Sequence, residues 1–286
     1  MPWTLPPLPD RGLLADLCRE TAAAKKVQPQ LVEKDFHLTR LLAALDGRLG
    51  AGLLLKGGTL LSKVDLGFLR MSDDADLVVP GPESRRGVAN ARLVEPVRAA
   101  LKELQGVLGA KLQFPGGERF EHNAHVVWRL DYESDFGRQT IKVEVTIRPL
   151  LSAPRRVVLG QLLEDPLVGD YSRASCHALG SAEARAEKVR AAFTREAIRD
   201  FYDLDQLAAK GADFESEAFL LLLDAKLAEL GTAPLRQQHR SFGLTPTRRA
   251  ALGSSLLREL PAVLRQDAPS FDLEAMLQRF DELWGK

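Results

Sequence analysis

Apolar positions recur along the chain with three successive spacings. The first is helical. LLADLCRETAAAKK, beginning at Leu13, combines helical spacing with strong helix formers. A second helix is predicted from Pro29 or Gln30 through EKDFHLTRLLAAL, with Leu31, Phe36, Leu38, Leu41 and Leu42 as its buried stripe. The spacing then shortens. LLLK predicts a strand, Gly57 and Gly58 a turn, TLLSKVDL a helix, Gly67 a second turn and ADLVV another strand, which Pro80-Gly81-Pro82 stops. Residues 95–108 read as a helix, and 111–114, 124–132 and 139–147 as three strands. Pro115-Gly116-Gly117 and a turn at 135–138 separate the strands. In the last strand Ile141, Val143, Val145 and Ile147 alternate with Lys142, Glu144, Thr146 and Arg148, a period of two that puts Glu144 on the polar face. The third regime follows Pro154 and the 166–172 region and is almost wholly helical. SAEARAEKVRAAFTR opens it, residues 200–209 continue it, and two or three further helices reach Trp284, punctuated by Gly231, Pro234, Gly243, Pro246 and Pro261.

These elements predict an α/β (α+β) architecture: a catalytic domain with a mixed sheet over residues 1–165, then a helical domain over 166–286. Composition agrees with an ordered globular chain, at 45% apolar and 27% charged residues. No signal-peptide core or membrane-length apolar run occurs, and Cys18 and Cys176 have no metal-ligand spacing, so a reduced cytoplasmic setting is expected. Lysine plus arginine equals aspartate plus glutamate at 39 each, which disfavours a uniformly basic nucleic-acid binder but permits a local basic groove. The arginine clusters at Arg85-Arg86, Arg155-Arg156 and 236–249 read as solvated faces unless they border an active cleft. His122 and His125 in a strand-like stretch, His177 in a loop and His37 in a helix give no support for histidine nucleophile chemistry.

The chemistry concentrates in KGGTLLSKVDLGFLRMSDDADLVV, Lys56 to Val79, where Asp74 follows Gly58 by sixteen residues. Asp74 and Asp76 flank Ala75 at the head of a strand, so both carboxylates share a face and offer hard oxygen ligands to a divalent cation. Gly57, Gly58 and Thr59 offer backbone amides and a hydroxyl to an anion, and Lys63, Arg70 and Ser72 supply charge and hydrogen bonds to a triphosphate. The third carboxylate of a two-metal site is either Glu144 on the adjacent strand or Asp131 at the end of the preceding one. GxxxxGKS and GxxxxGKT are absent, which disfavours a Walker-type ATPase. Farther on, Lys188 reads as a solvated helix residue and Asp200 as a partner of Arg195 or Arg199.

Three blocks, EKDFHLTRLL, LLKGGTLLSKVDLGFLRMSDDADLVV and EARAEKVRAAFTREAIRDFYDLDQL, with IKVEV between the last two, span residues 31–207. Together they resemble the AbiEii/AbiGii-type toxin family of nucleotidyltransferases, within the DNA polymerase β-like superfamily. The resemblance implies a minimal nucleotidyltransferase fold followed by a helical bundle, and transfer of a nucleoside monophosphate from an NTP with release of pyrophosphate. It makes Asp74 and Asp76 ligands of Mg²⁺ or Mn²⁺, and revises the helical block so that Lys188 contacts the nucleotide and Asp200 orients it or acts as a base. The implied acceptor is RNA, notably the 3′ end of tRNA, and the implied partner is a cognate antitoxin. Other acceptors, a protein or a small molecule, and a non-catalytic nucleotide-binding module are the competing functions. The chain departs from the family in having Ala75 where a branched aliphatic residue is usual.

Overall fold

The structure, a computed structural model, describes residues 4–82, 87–113, 124–228 and 240–284. Helix α1 (Arg11–Lys25) starts where the Asp10 carboxylate accepts the Gly12 and Leu13 amides at 2.9 and 3.2 Å, and ends at Lys26 in the left-handed conformation. Helix α2 (Pro29–Leu49) has proline in its first turn, where no amide donor is needed. The predicted stripe is too narrow for it. From Val32 to Asp46 every residue except Lys34 is buried, because helices and the sheet enclose α2, while Leu31 is only half-buried.

Strand β1 (Leu54–Leu55) leads into α3 (Gly57–Leu60), which widens into a π-helical turn over Leu61–Asp65. Then follow β2 (Ala75–Pro80), α4 (Gly87–Leu108), β3 (Ala110–Gln113), β4 (His125–Tyr132) and β5 (Gln139–Arg148), and after them β6 (Arg155–Val158) and β7 (Ser175–Ala178). The seven strands form one mixed sheet in the order β3-β4-β5-β2-β1-β7-β6. β2 runs parallel to β5 and β1 parallel to β7, and the other neighbours are antiparallel. The period of two in β5 places Ile141, Val143, Val145 and Ile147 in the core. The helix predicted from residue 95 begins at Gly87 and carries Pro96 inside it. β6 and β7 occupy the stretch read as a run-up to helices, and His177, expected in a loop, lies in β7. Four residues each are too few to display a period. Phe114 and the Pro115-Gly116-Gly117 turn lie outside the described residues.

The chain divides into two compact units, residues 1–150 with 154–179, and residues 151–153 with 180–286. The second is helical: α5 (Ser181–Thr194), α6 (Ile198–Ala209), α7 (Glu217–Ala228), α8 (Pro246–Arg258), α9 (Leu260–Val263) and α10 (Leu273–Trp284). Phe201, Phe214, Phe219, Phe242 and Phe280 fill its interior, with Phe242 and Phe280 ring centroids 5.5 Å apart. A polar knot lies within it. The Lys226 ammonium is fully buried, 3.1 Å from Glu183 and 3.0 Å from Glu187, and Glu183 also accepts the Leu151 and Ser152 amides at 3.0 Å each. Among the described residues no helix is long and apolar enough to cross a membrane.

Candidate active site

β1 and β2 pair with Leu55 opposite Leu77, and the Lys56 amide donates to the Asp76 carbonyl at 2.9 Å. That pairing draws the glycine turn against the head of β2. Gly57 has a φ of +68°, and a Cβ there would run into the Asp76 carboxylate and lie 2.9 Å from the Asp76 Cβ. A Cβ on Gly58 would lie 2.8 Å from Arg70 Nη2 and 2.9 Å from Ser72 Oγ. A side chain at Gly57 would strain the backbone and displace Asp76, and one at Gly58 would push aside Arg70 or Ser72. The Thr59 hydroxyl lies 2.5 Å from the Asp74 carbonyl and 3.0 Å from Ser72 Oγ, and Ser62 Oγ donates to the Arg70 carbonyl at 2.7 Å. Arg70 is buried and donates to the Met71 carbonyl at 3.0 Å. Gly57, Gly58, Thr59, Arg70, Ser72, Asp74 and Asp76 therefore meet in one place.

The Asp74 carboxyl is pushed up to about 6, first by burial and then by the negative charge of Asp73, with Lys142 opposing and Asp76 adding to it. A divalent cation relieves that kind of crowding, and two carboxylates at alternate positions are suitable hard donors, so the residues fit a metal. Glu144 stands directly opposite Asp76 in the parallel β2–β5 register, hence on the same face. Its carboxylate bonds His125 at 3.4 Å and pairs with Lys142, and these partners pull its pKa down to about 2. Among the described residues no three His, Cys, Asp or Glu side chains converge as a metal cage. The expected three-carboxylate cluster is thus not assembled, because Glu144 is turned to its basic partners. Asp131 is ruled out as the third member. It lies four residues along β4 from Val127, the position paired with Glu144, which is about 13 Å of strand. Arg138 and Thr140 also hold its carboxylate, at 2.7 and 2.6 Å.

Lys63 is the second correction. Its ammonium does not join the glycine turn. It sits in the interior, 2.5 Å from Asp35 Oδ1, 2.7 Å from Thr39 Oγ1 and 3.2 Å from the Gly160 carbonyl. Burial pulls its pKa below the ordinary lysine value, against the Asp35 charge that raises it.

In the helical unit Lys188 is buried, with Nζ 2.9 Å from both Asp200 Oδ1 and Asp203 Oδ2. The solvated reading of Lys188 is overturned. Asp200 also takes Arg195 Nε at 2.5 Å and Nη2 at 2.9 Å, the neighbour pairing expected from sequence. Burial opposes its charge, yet Lys188 and Arg195 hold its carboxyl well below the usual carboxylate range. The arginine clusters prove partly structural. Arg155 grips Asp65 with two 2.9 Å bonds, and Arg248 reaches the Phe193 carbonyl at 3.2 Å and so caps the end of α5. Arg85, Arg86, His122 and residues 236–239 lie outside the described residues.

A family profile described as nucleotidyl transferase AbiEii toxin, type IV TA system, matches residues 40–285. The chain belongs to the AbiEii family. It is thereby a nucleotidyltransferase toxin of a type IV toxin–antitoxin family, with an NTP as co-substrate and an antitoxin as the implied partner. The solved structure of MenT4, a nucleotidyltransferase toxin from Mycobacterium tuberculosis, is similar at 20% identity and a TM-score of 0.61, over 97% of this chain and 90% of that one. JHP933 from Helicobacter pylori is similar at 18% identity and a TM-score of 0.52, over 91% and 92% of the two chains. At those identities the likeness is one of fold, and it agrees with the mixed sheet and helical half seen in this AbiEii chain. No curated protein matches the sequence.

Within the AbiEii blocks, sequence reasoning passed over several residues around the site. Lys34 holds Asp73 at 2.7 Å, Asp35 holds Lys63, and Lys142 with His125 holds Glu144. The signal was present for the first two, since Glu33-Lys34-Asp35 puts alternating charge into a helix that is otherwise apolar.

Proposed function

We propose that this AbiEii protein transfers a nucleoside monophosphate from an NTP to RNA, at the 3′ acceptor end of tRNA, and so blocks translation in the cytoplasm. The observation that carries this reading is the close packing of Gly57 and Gly58 against Asp76, Arg70 and Ser72, where an added Cβ would displace those side chains. The half-buried glycine backbone, a guanidinium and paired carboxylates close together support triphosphate binding beside a metal. Asp74 and Asp76 would hold Mg²⁺ or Mn²⁺, with Glu144 as the neighbouring carboxylate on β5. Divalent ions there would polarise the attacking hydroxyl and neutralise triphosphate charge.

The chain's own groups do the positioning. Gly57, Gly58, Thr59 and Ser72 bind phosphate oxygens, and Arg70 balances their charge. In the helical unit, the Lys188–Asp200 pair keeps the role that the resemblance implies, Lys188 toward the nucleotide and Asp200 in its orientation. The acceptor hydroxyl attacks the α-phosphorus in line. A new P–O bond forms, the bond to the β-phosphate breaks, pyrophosphate leaves and the hydroxyl proton passes to a base. Alignment of the two reactants supplies much of the acceleration.

The 3′-end assignment has a direct test. Periodate oxidation of tRNA destroys the terminal diol, and the oxidised tRNA is expected to take up no label from an NTP. Equal labelling of oxidised and intact tRNA would place the acceptor elsewhere. Label found in protein or in a small molecule, with none in RNA, would replace this acceptor with another.

A further inference from the structure

The Lys63 ammonium belongs to a closed circuit that the proposed reaction does not use. Asp35 on α2 gives one carboxylate oxygen to Lys63 at 2.5 Å and the other to the Leu162 amide at 2.9 Å. Thr39, one turn along α2, takes a second bond from Lys63 at 2.7 Å while its own hydroxyl donates to the Asp35 carbonyl at 2.9 Å. Gly160 closes the circuit in both directions. Its carbonyl accepts from Lys63 Nζ at 3.2 Å, and its amide donates to the Lys63 carbonyl at 3.1 Å. The Phe68 ring lies 5.4 Å from the ammonium. Lys63 and Asp35 side chains are each 1% exposed.

Lys63 sits in the π-helical turn that continues α3 without a break. Such turns leave the i to i+4 ladder and need outside support. Here the support is specific. The Leu66 amide reaches the Leu61 carbonyl at 2.7 Å, Phe68 reaches Ser62 at 2.9 Å, and the Lys63 carbonyl is taken by Gly160. The same short segment carries Thr59 and Ser62, whose hydroxyls bond the Asp74 and Arg70 carbonyls. A shift of the π turn therefore moves the glycine turn relative to the Asp74–Asp76 pair.

We propose that the Asp35–Lys63 pair is a positioning element that fixes the π turn, and through it the register of the Gly57–Thr59 turn against the carboxylate dyad. The effect on nucleotide rests on the proposed transfer reaction, whereas the effect on the turn does not. Replacing both partners by apolar residues of similar size is the discriminating variant, since it removes the charges together and leaves none buried alone. In the folded Asp35→Leu/Lys63→Met double variant, the Leu61 and Leu66 amides are expected to exchange with deuterium roughly tenfold faster or more than in the wild type. KM for the NTP is expected to rise by roughly tenfold with a smaller change in kcat, as misplacement of a binding group requires. Unchanged exchange in a folded double variant overturns the proposal, and so does faster exchange with an unaltered KM. If the double variant does not fold, Thr39→Val removes one bond from the ammonium and is judged by the same two readouts, with no change in exchange overturning the proposal. If the wild type transfers no nucleotide to any acceptor, the reaction assignment fails while the exchange measurement still decides this one.

Discussion

At the scale of single residues the site is defined by what does not fit as much as by what does. Gly57 combines a φ of +68° with an Asp76 side chain in the place of a Cβ. Gly57→Ala is expected to lose about 1–2 kcal/mol of stability to the left-handed backbone, and to lower transfer by roughly 10²-fold through displacement of the carboxylate. Thermal melting and an initial-rate assay separate the two effects. Asp76→Asn is a milder probe. It keeps the volume and removes one of two crowded charges, so the melting temperature should hold or rise while transfer falls by roughly 10²- to 10³-fold or more. A parallel loss of folding would make Asp76 a structural residue instead. Lys63 carries the opposite lesson. Its position five residues after Gly58 suggested a phosphate ligand, and the interior claimed it because Asp35 and Thr39 on α2 offer partners that sequence separation hid.

At the scale of elements, α2 is the central piece of the first unit and carries a pH signature. His37 is buried between Phe36 and the Tyr132 ring, 4.3 Å away by centroids, with Arg40 on the same helix. Burial first, and Arg40 second, lower its pKa to about 3 from 6.5. The unfolded chain takes up that proton near 6.5 and the folded chain does not, so this stabilisation is complete above 6.5 and drains as the pH falls toward 3. The expected slope from this residue is about 1.4 kcal/mol per pH unit within that window. Urea unfolding of His37→Phe at pH 7 and pH 5 should show a smaller acid loss than the wild type, and an equal loss would contradict it. In the helical unit, Lys226→Met leaves the buried Glu183 without its cation, and about 3–5 kcal/mol of stability should go with it. Urea midpoints measure that, and a loss below about 1 kcal/mol would mean the knot relaxes. Much of this level was legible in sequence. The period of two in β5 and the glycine-to-dyad segment gave the sheet's centre and the dyad strand. β1 was read correctly from LLLK, whereas β6 and β7 were not legible, because their identity comes from pairing with other strands rather than from a repeat of their own.

At the scale of the whole molecule, equal numbers of acidic and basic residues shape the encounter with RNA. A neutral protein has no long-range pull on tRNA, so few phosphate contacts are expected. Its tRNA affinity should fall by less than about 10³-fold between 50 and 200 mM salt, the lower bound for proteins that neutralise six or more phosphates. A steeper dependence, read by filter binding across salt, would mean that the protein neutralises more phosphates than its balanced charge predicts. Fold class and family membership were readable from three sequence blocks, while the roles of Lys63 and Asp131 needed the folded chain, because burial and strand register decide them. The most direct test of the account is incubation of the protein with each labelled NTP, Mg²⁺ and total tRNA, resolved on a denaturing gel. The account predicts label in the tRNA band with the wild type and none with Asp74→Ala or Asp76→Ala. Wild-type protein that leaves every NTP unincorporated, or variants that label tRNA as well as the wild type, would contradict it.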